Sequence, residues 1–280
     1  MDKKVFAVIV TYKRAVVLKE CLKAVLELST YKVEQLHIIV NAKEIETLET
    51  IEKFSSEKGL KVSFEICDNV GPAGGFYYGL KEFLKSDCDY VWLMDDDVVP
   101  EPNCLEDLIN GIGHSLYAFP KVVNPEGKEI QTLAFGWWGV LLRKALVEKV
   151  GLPIKEFFYW CEDTEYLQNR MIRKNGVIPY RSDNAVVTHL HNRNGNKPQW
   201  YYYYTIRNTL YYRSRIFPLN IRGFIRIGYM FAGAFYRILF KEPDKLSQTV
   251  YLIMGLYHAV IGKLGKLERL HKKEMIKFKS

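Results

Sequence analysis

Tyr90-Val91-Trp92-Leu93-Met94-Asp95-Asp96-Asp97 is the stretch on which the reading of this chain turns. The apolar run from Tyr90 to Met94 predicts a buried strand, and it ends abruptly in three carboxylates. Val98-Val99-Pro100 follows, and Pro100 stops any regular ladder. Three adjacent anions at a strand end repel one another unless water screens them or a divalent cation sits among them. Asp95 and Asp97 project to the same side of an extended chain, so both can reach one ion. An ion held by two carboxylates and open elsewhere suits a diphosphate. The plainer alternative is an acidic turn that closes a strand, so the flanking sequence has to decide.

Upstream, Lys4 to Thr11 is a continuous apolar run of the kind buried on both faces of a parallel sheet. Tyr12-Lys13-Arg14 makes a turn, and Val16 to Leu28 repeats apolar residues at helical spacing. A second strand, Gln35 to Val40, ends at Asn41. A charged amphipathic helix, Lys43 to Lys58, follows. A third strand, Lys61 to Cys67, leads to Asp68-Asn69. This alternation predicts a doubly wound, mostly parallel sheet. Ligands of such sheets sit beyond the carboxyl ends of the strands, where Thr11, Asn41, Asn69 and Asp95 to Asp97 all fall. The glycine-rich stretch Asn69 to Gly79 opens the next helix, Phe76 to Lys85. Its glycines either face an anion or let the helix lie close on the sheet. The stretch holds no Lys or Arg to meet a triphosphate, which weighs against a nucleotidyltransferase.

Downstream, a helix is expected over 103–112, with strands over 116–121 and 130–134. Phe135-Gly136-Trp137-Trp138-Gly139 offers indole faces for a core or for a sugar ring. Glu162-Asp163 opens a helix that runs to Lys174; acids there favour the helix dipole, and one beside a sugar cleft could act as general base. A strand over 177–187 delivers His189 and His191, and two carboxylates with one imidazole would suit a manganese-like ion.

Charge divides the chain. From Arg193 onward there are 17 Lys and Arg against 4 Asp and Glu, a balance of +13, while the first 192 residues carry 23 against 28, or −5. A division into residues 1–198 and 199–280 follows. The second part is aromatic and apolar with Arg interleaved, and it lacks an uncharged apolar run of the ~18 residues a membrane span needs. It reads as interfacial helices and a basic tail at an anionic lipid surface, or as an oligomer contact. Nothing resembles a nucleic-acid-reading motif. The five cysteines form no CxxC pair, and Met1-Asp2-Lys3-Lys4 runs straight into a strand with no apolar leader. A reducing, cytoplasmic setting is expected, peripheral on the inner membrane face.

Val8 to Arg14, Asn69 to Gly79 and Asp95-Asp96-Asp97 resemble family 2 glycosyltransferases of the GT-A fold. Gly136-Trp137-Trp138, Trp160 to Tyr166, His189 and Tyr202 to Asn208 are similar to bacterial galactofuranosyltransferases. The resemblance covers residues 4–215 and implies an inverting transfer from a UDP-sugar to a glycan or lipid-linked oligosaccharide. It implies that Thr11, Tyr12, Arg14, Asn41 and Asn69 bind the nucleotide, and that Asp95, Asp97 and His189 hold Mn2+ or Mg2+, with His191 as the alternative imidazole. Asp96 would lie by the donor sugar and ribose. Trp137, Trp138 and Glu162 would line the sugar pocket, and Asp163 would be the base. Asn41 stands where many relatives have Asp beside Asn, and Cys161 where galactofuranosyl relatives have Trp. A dTDP-rhamnose donor is therefore the alternative.

Overall fold

The computed structural model describes residues 3–56, 61–130, 136–190, 197–216 and 220–268. His191, residues 131–134 of one expected strand and residues 269–279 of the basic tail lie outside these. The chain divides into two compact units: residues 1–155 with 163–191, and residues 156–162 with 192–280.

Among the described residues the first unit holds one eight-stranded sheet. Its elements in order are β1 (Val5–Thr11), α1 (Ala15–Leu22), β2 (Gln35–Val40), α2 (Ile45–Ser55), β3 (Lys61–Ile66) and α3 (Gly71–Phe83). There follow β4 (Tyr90–Asp95), β5 (Val98–Pro100), α4 (Cys104–Gly111), β6 (Tyr117–Val123), β7 (Trp138–Arg143), α5 (Lys144–Val150) and β8 (Tyr180–His189). A π-helical stretch, Lys23–Leu28, prolongs α1, and another, Thr164–Lys174, precedes β8. Strand order is β3-β2-β1-β4-β7-β6-β8-β5.

The first four strands pair in parallel, as the alternation of strands and helices predicts. Beyond β4 the sheet is mixed rather than mostly parallel. β7 runs antiparallel to β4 and to β6, β5 runs antiparallel to β8, and β6 and β8 are parallel. Residues of β1 alternate between two cores. Val5, Ala7 and Ile9 pack with Leu18, Leu22 and Leu108 on one face. Phe6, Val8 and Val10 pack with Phe76, Leu80 and Val147 on the other. Covered on both faces, β1 can afford no polar residue before its end, and Thr11 is that end.

The glycines of α3 serve this packing. A Cβ at Gly75 would lie 2.5 Å from Val10 Cγ1, and one at Gly79 would overlap Val8 Cγ1. Gly79→Ala is expected to cost about 1–3 kcal/mol of stability, the scale of overpacking a core. A lower urea midpoint would show it, and an unchanged midpoint would mean that α3 can lift from β1 without loss.

The second unit contains α6 (Gln199–Tyr211), α7 (Ile221–Lys241) and α8 (Lys245–Ile261). Tyr202, Ile206, Ile238 and Leu252 form its core, and the backbone at Gly255 of α8 approaches the Tyr203 carbonyl of α6. Segment 156–162 groups with these helices although some forty residues separate it from α6 in sequence. Phe158, Trp160 and Cys161 of this segment have φ of 64°, 74° and 71°. That region is unfavourable for side-chain-bearing residues and needs outside support. Asn208 supplies it: its buried amide donates to the carbonyls of Phe157 at 2.9 Å, Tyr159 at 2.7 Å and Trp160 at 2.8 Å. Arg207 Nη2 adds a bond to the Phe157 carbonyl at 2.9 Å. Asn208→Ala should therefore cost about 2–4 kcal/mol, because buried carbonyls lose their donor. Thermal or urea unfolding reads this directly, and a loss below about 0.5 kcal/mol would sink the claim.

Candidate active site

Parallel alignment of β1 and β4 places Val10 opposite Asp95, so Thr11 and Asp96 leave the two strand ends side by side. Thr11 Oγ1 donates to Asp96 Oδ2 at 2.6 Å, in a buried bond. Arg14, in the turn after β1, reaches back to the same cluster. Its Nε donates to Asp96 Oδ2 at 3.2 Å, its Nη2 pairs with Asp96 Oδ1, and its Nη1 donates to Asp97 Oδ2 at 2.8 Å. One guanidinium thus spans two carboxylates, the fork geometry for which arginine is suited.

The carboxylates do not share one electrostatic state. Asp96 is fully buried, and burial pushes its carboxyl up to about 6 even though Arg14 and Thr11 pull it down. Burial acts on Asp97 in the same direction, but the His189 ring and Arg14 outweigh it and hold Asp97 below the usual carboxylate range. Burial would lower Arg14, yet Asp96, Asp97 and Asp95 together keep it more firmly protonated than usual. The turn therefore tolerates three adjacent acids because Arg14 is shared between Asp96 and Asp97, Thr11 donates to Asp96 and His189 lies beside Asp97.

His189 arrives through the pairing of β5 with β8, in which Val98 faces His189. Its neighbour Leu190 donates from the backbone to the Asp97 carbonyl at 2.8 Å. His189 Nε2 lies 3.5 Å from Asp97 Oδ1, a buried oxygen with no hydrogen-bond partner. Trp138 lies beside the same imidazole, with ring centroids 5.0 Å apart. Among the described residues no three His, Cys, Asp or Glu side chains converge on one ion position. Asp97 and His189 are the pair the fold brings together, and Asp95 stays half-buried at the end of β4 without joining them as a third ligand. A carboxylate oxygen and an imidazole nitrogen fit a divalent cation that takes its other ligands from a diphosphate and water.

The remaining sequence-selected residues fall around this cluster or away from it. Asn41 and Asn69 meet at the entry to α3. Asn41 Oδ1 accepts from Val70 N at 3.2 Å, and its Nδ2 donates to the Gly71 carbonyl at 3.2 Å. Asn69, with φ of 31°, accepts from Gly71 N. Both ends of the Asn41 side chain thus shape the glycine-rich turn. Tyr12 is half-buried in the turn after β1, with the Lys13 ammonium 5.5 Å from its ring centroid. Trp137 is buried, stacked on Phe76 at 4.2 Å and near Tyr166 at 6.0 Å. Its indole Nε1 is buried without a hydrogen-bond partner. Gly136 is required beside them, since a Cβ there would lie 2.5 Å from the Trp138 ring.

Asp163 heads the helical stretch Thr164–Lys174, and its Oδ1 accepts from Thr164 N at 2.5 Å. Burial raises its pKa, against the pull of the Thr164 hydrogen bonds, and its charge is felt at the buried Tyr117 hydroxyl. Glu162 is buried and belongs to the second unit, while Asp163 belongs to the first. Phe76, Arg207 and Asn208 lie in stretches quoted for the resemblance, but the sequence assigned none of them a role. The one signal for the last two is a polar Arg-Asn pair inside an otherwise aromatic helix.

Residues 6–141 match the model of glycosyl transferase family 2. No curated protein matches the chain. Its fold is similar to that of S. aureus TarS, with a TM-score of 0.63 and 15% identity over 96% of this chain and 50% of that one. The chain thus spans half the length of that structure. TarS 1-349 in complex with UDP-GlcNAc gives a TM-score of 0.60 and 16% identity, over 96% of this chain and 83% of that one. The mannosyltransferase PcManGT from Pyrobaculum calidifontis, in complex with GDP-Man and Mn2+, gives 0.60 and 12%, over 96% and 77%. Identities this low establish a shared fold. The family match takes in β1, β4 and β5 with the turns that follow β1 and β4, and so Thr11, Arg14 and the three aspartates, and it stops short of β8 and His189.

Proposed function

We propose that this chain is an inverting, metal-dependent glycosyltransferase. In this reading it moves galactofuranose from UDP-galactofuranose to a lipid-linked cell-surface glycan, working peripherally at the inner face of the membrane. The observation that carries the reading is the joined set Thr11, Arg14, Asp96 and Asp97 at the carboxyl ends of β1 and β4, inside the segment that matches the family, with His189 brought beside Asp97 from the end of β8. The nucleotide complexes of TarS and PcManGT support a sugar-nucleotide donor, and the Mn2+ in the latter supports a divalent cation.

In this mechanism Asp97 and His189 would hold Mn2+ or Mg2+, with Asp95 as the further carboxylate at the same strand end. The bound ion would neutralise charge on the leaving diphosphate. Arg14 is a permanent cation that can turn from Asp96 and Asp97 toward phosphate oxygens. Thr11, Tyr12, Asn41 and Asn69 would frame the nucleotide, Asp96 the ribose and sugar, and Trp138 the sugar pocket. Asp163 would accept the proton of the acceptor hydroxyl as its oxygen bonds to the anomeric carbon. The bond from that carbon to the diphosphate breaks in the same step, with inversion, and the nucleoside diphosphate leaves.

A panel of sugar nucleotides with Mn2+ present tests the reading. UDP-galactofuranose is expected to be turned over fastest; faster turnover of dTDP-rhamnose, the alternative suggested by Cys161, would reassign the donor. Absence of turnover across the panel, with and without metal, would overturn the assignment.

A further inference from the structure

The second unit has an apolar face that it does not use for its own core. In α7, Met230, Phe231, Ala234 and Ile238 supply the contacts to that core, so one side of the helix is spent on packing. The opposite side of a helix on a water-facing surface is normally polar. Here it is not. Ile221, Phe224, Ile225, Tyr229, Tyr236 and Phe240 are exposed, Tyr229 to 75% and Phe240 to 70%. At 100° per residue these positions fill an arc of roughly 160°. Arg222 and Arg226 stand at one edge of that arc, and no Asp or Glu occurs between Ile221 and Lys241.

A second stripe lies on α8. Leu246, Val250, Ile253, Tyr257 and Val260 recur every three or four residues, which is one face of a helix. Leu246 is 80% exposed and Val260 75%. This helix too contains no Asp or Glu; the junction between the two carries Lys241 and Lys245 with Glu242, which pairs with Arg237, and the exposed Asp244. No helix among the described residues is long and apolar enough to cross a membrane.

We propose that the exposed faces of α7 and α8 are a docking surface for a bilayer rich in anionic lipid, with Phe224, Ile225 and Tyr229 entering the headgroup boundary and Arg222 and Arg226 on the lipid phosphates. The inference rests on the peripheral placement proposed above and names the surface responsible. Charge selects this occupant. A second copy would bring a like-charged cationic face to the same place, whereas an anionic surface is complementary to it. Arginines at the rim of a wide apolar arc can lay their stems along acyl chains and their guanidinium groups at the headgroups.

Vesicle flotation with the full chain tests this, using phosphatidylcholine vesicles with and without phosphatidylglycerol. Wild type should float with the anionic vesicles. The exposed double change Phe224→Ser with Tyr229→Ser should reduce partitioning at least tenfold. Arg222→Ser with Arg226→Ser should reduce it about thirtyfold on anionic vesicles and little on neutral ones. Failure of the wild type to float, or unchanged flotation of both variants, would overturn the proposal. So would a sedimenting wild-type dimer that Phe224→Ser with Tyr229→Ser converts to monomer, which would assign the face to self-association. Sugar-nucleotide turnover in vesicle-free solution separates the two readings. It should persist in the Phe224/Tyr229 variant, and its absence in wild type would strike the donor chemistry while leaving flotation to judge the surface.

Discussion

Asp97→Ala should lower sugar transfer by about 10³-fold or more while leaving the protein folded, the scale seen when a group aimed at developing charge is removed. Asp97 serves both halves of the cluster with different oxygens. Oδ2 takes the Arg14 fork at 2.8 Å, and Oδ1 faces His189 Nε2 at 3.5 Å with no other hydrogen-bond partner. Alanine frees Arg14 to pair with Asp96 alone and leaves His189 without the second donor atom of the pair. The backbone bond from Leu190 N to the Asp97 carbonyl is independent of the side chain, so the turn into β5 should hold. The pH dependence of stability supplies a second readout. The folded-state pKa of Asp97 lies below its unfolded value, so its ionised form stabilises the fold above about pH 4, and that contribution is lost as acid drives the pH down through the folded value. The alanine variant should lose less stability than wild type over that acid range. Transfer retained within about tenfold of wild type, with Mn2+ present, would remove Asp97 from the reaction.

Much of this cluster was legible because the decisive signals are local. An apolar run that stops at Asp95 needs no partner to be read as a buried strand end, and the β1 and β2 patterns reinforce one another. The glycines of α3 were legible as a class, but only the positions of Val8 and Val10 show that Gly75 and Gly79 answer to packing. What escaped the sequence depends on remote pairing. Nothing in Trp138 to Arg143 says that β7 will run antiparallel beside β4, and this gives the sheet, expected to be mostly parallel, its antiparallel pairings beyond β4. Segment 156–162 escaped for a different reason. Three of its residues take left-handed backbone that Phe, Trp and Cys do not advertise, because the stabilising amide of Asn208 lies about fifty residues away. His189 was legible as a polar residue on a strand, but its place beside Asp97 follows from the short β5–β8 ladder, which only the folded register defines.

Asp163→Asn should reduce transfer by about 10²–10⁴-fold, the contribution of a general base, and should do so without weakening the fold. Both halves of that expectation follow from the environment of one side chain. The cap it provides is a single acceptor oxygen on Thr164 N, and an asparagine carbonyl can accept the same bond. The proton it would take from an acceptor hydroxyl is a different matter, since an amide cannot hold it. Burial raises the folded-state pKa of Asp163. The protonated form is therefore the one the fold favours, a contribution fully present below the unfolded pKa near 4 and lost as pH rises through the folded value. Above that value wild type carries an ionised carboxylate where burial disfavours one, and the asparagine variant does not. At neutral pH the variant should thus unfold at equal or higher urea concentration than wild type while being nearly inactive, as expected where a site holds a destabilised group for its chemistry. Nucleotide affinity, measured by calorimetry, should be unchanged. A collapse of that affinity would move Asp163 to the donor site, and a clear fall in stability would reduce it to a helix cap.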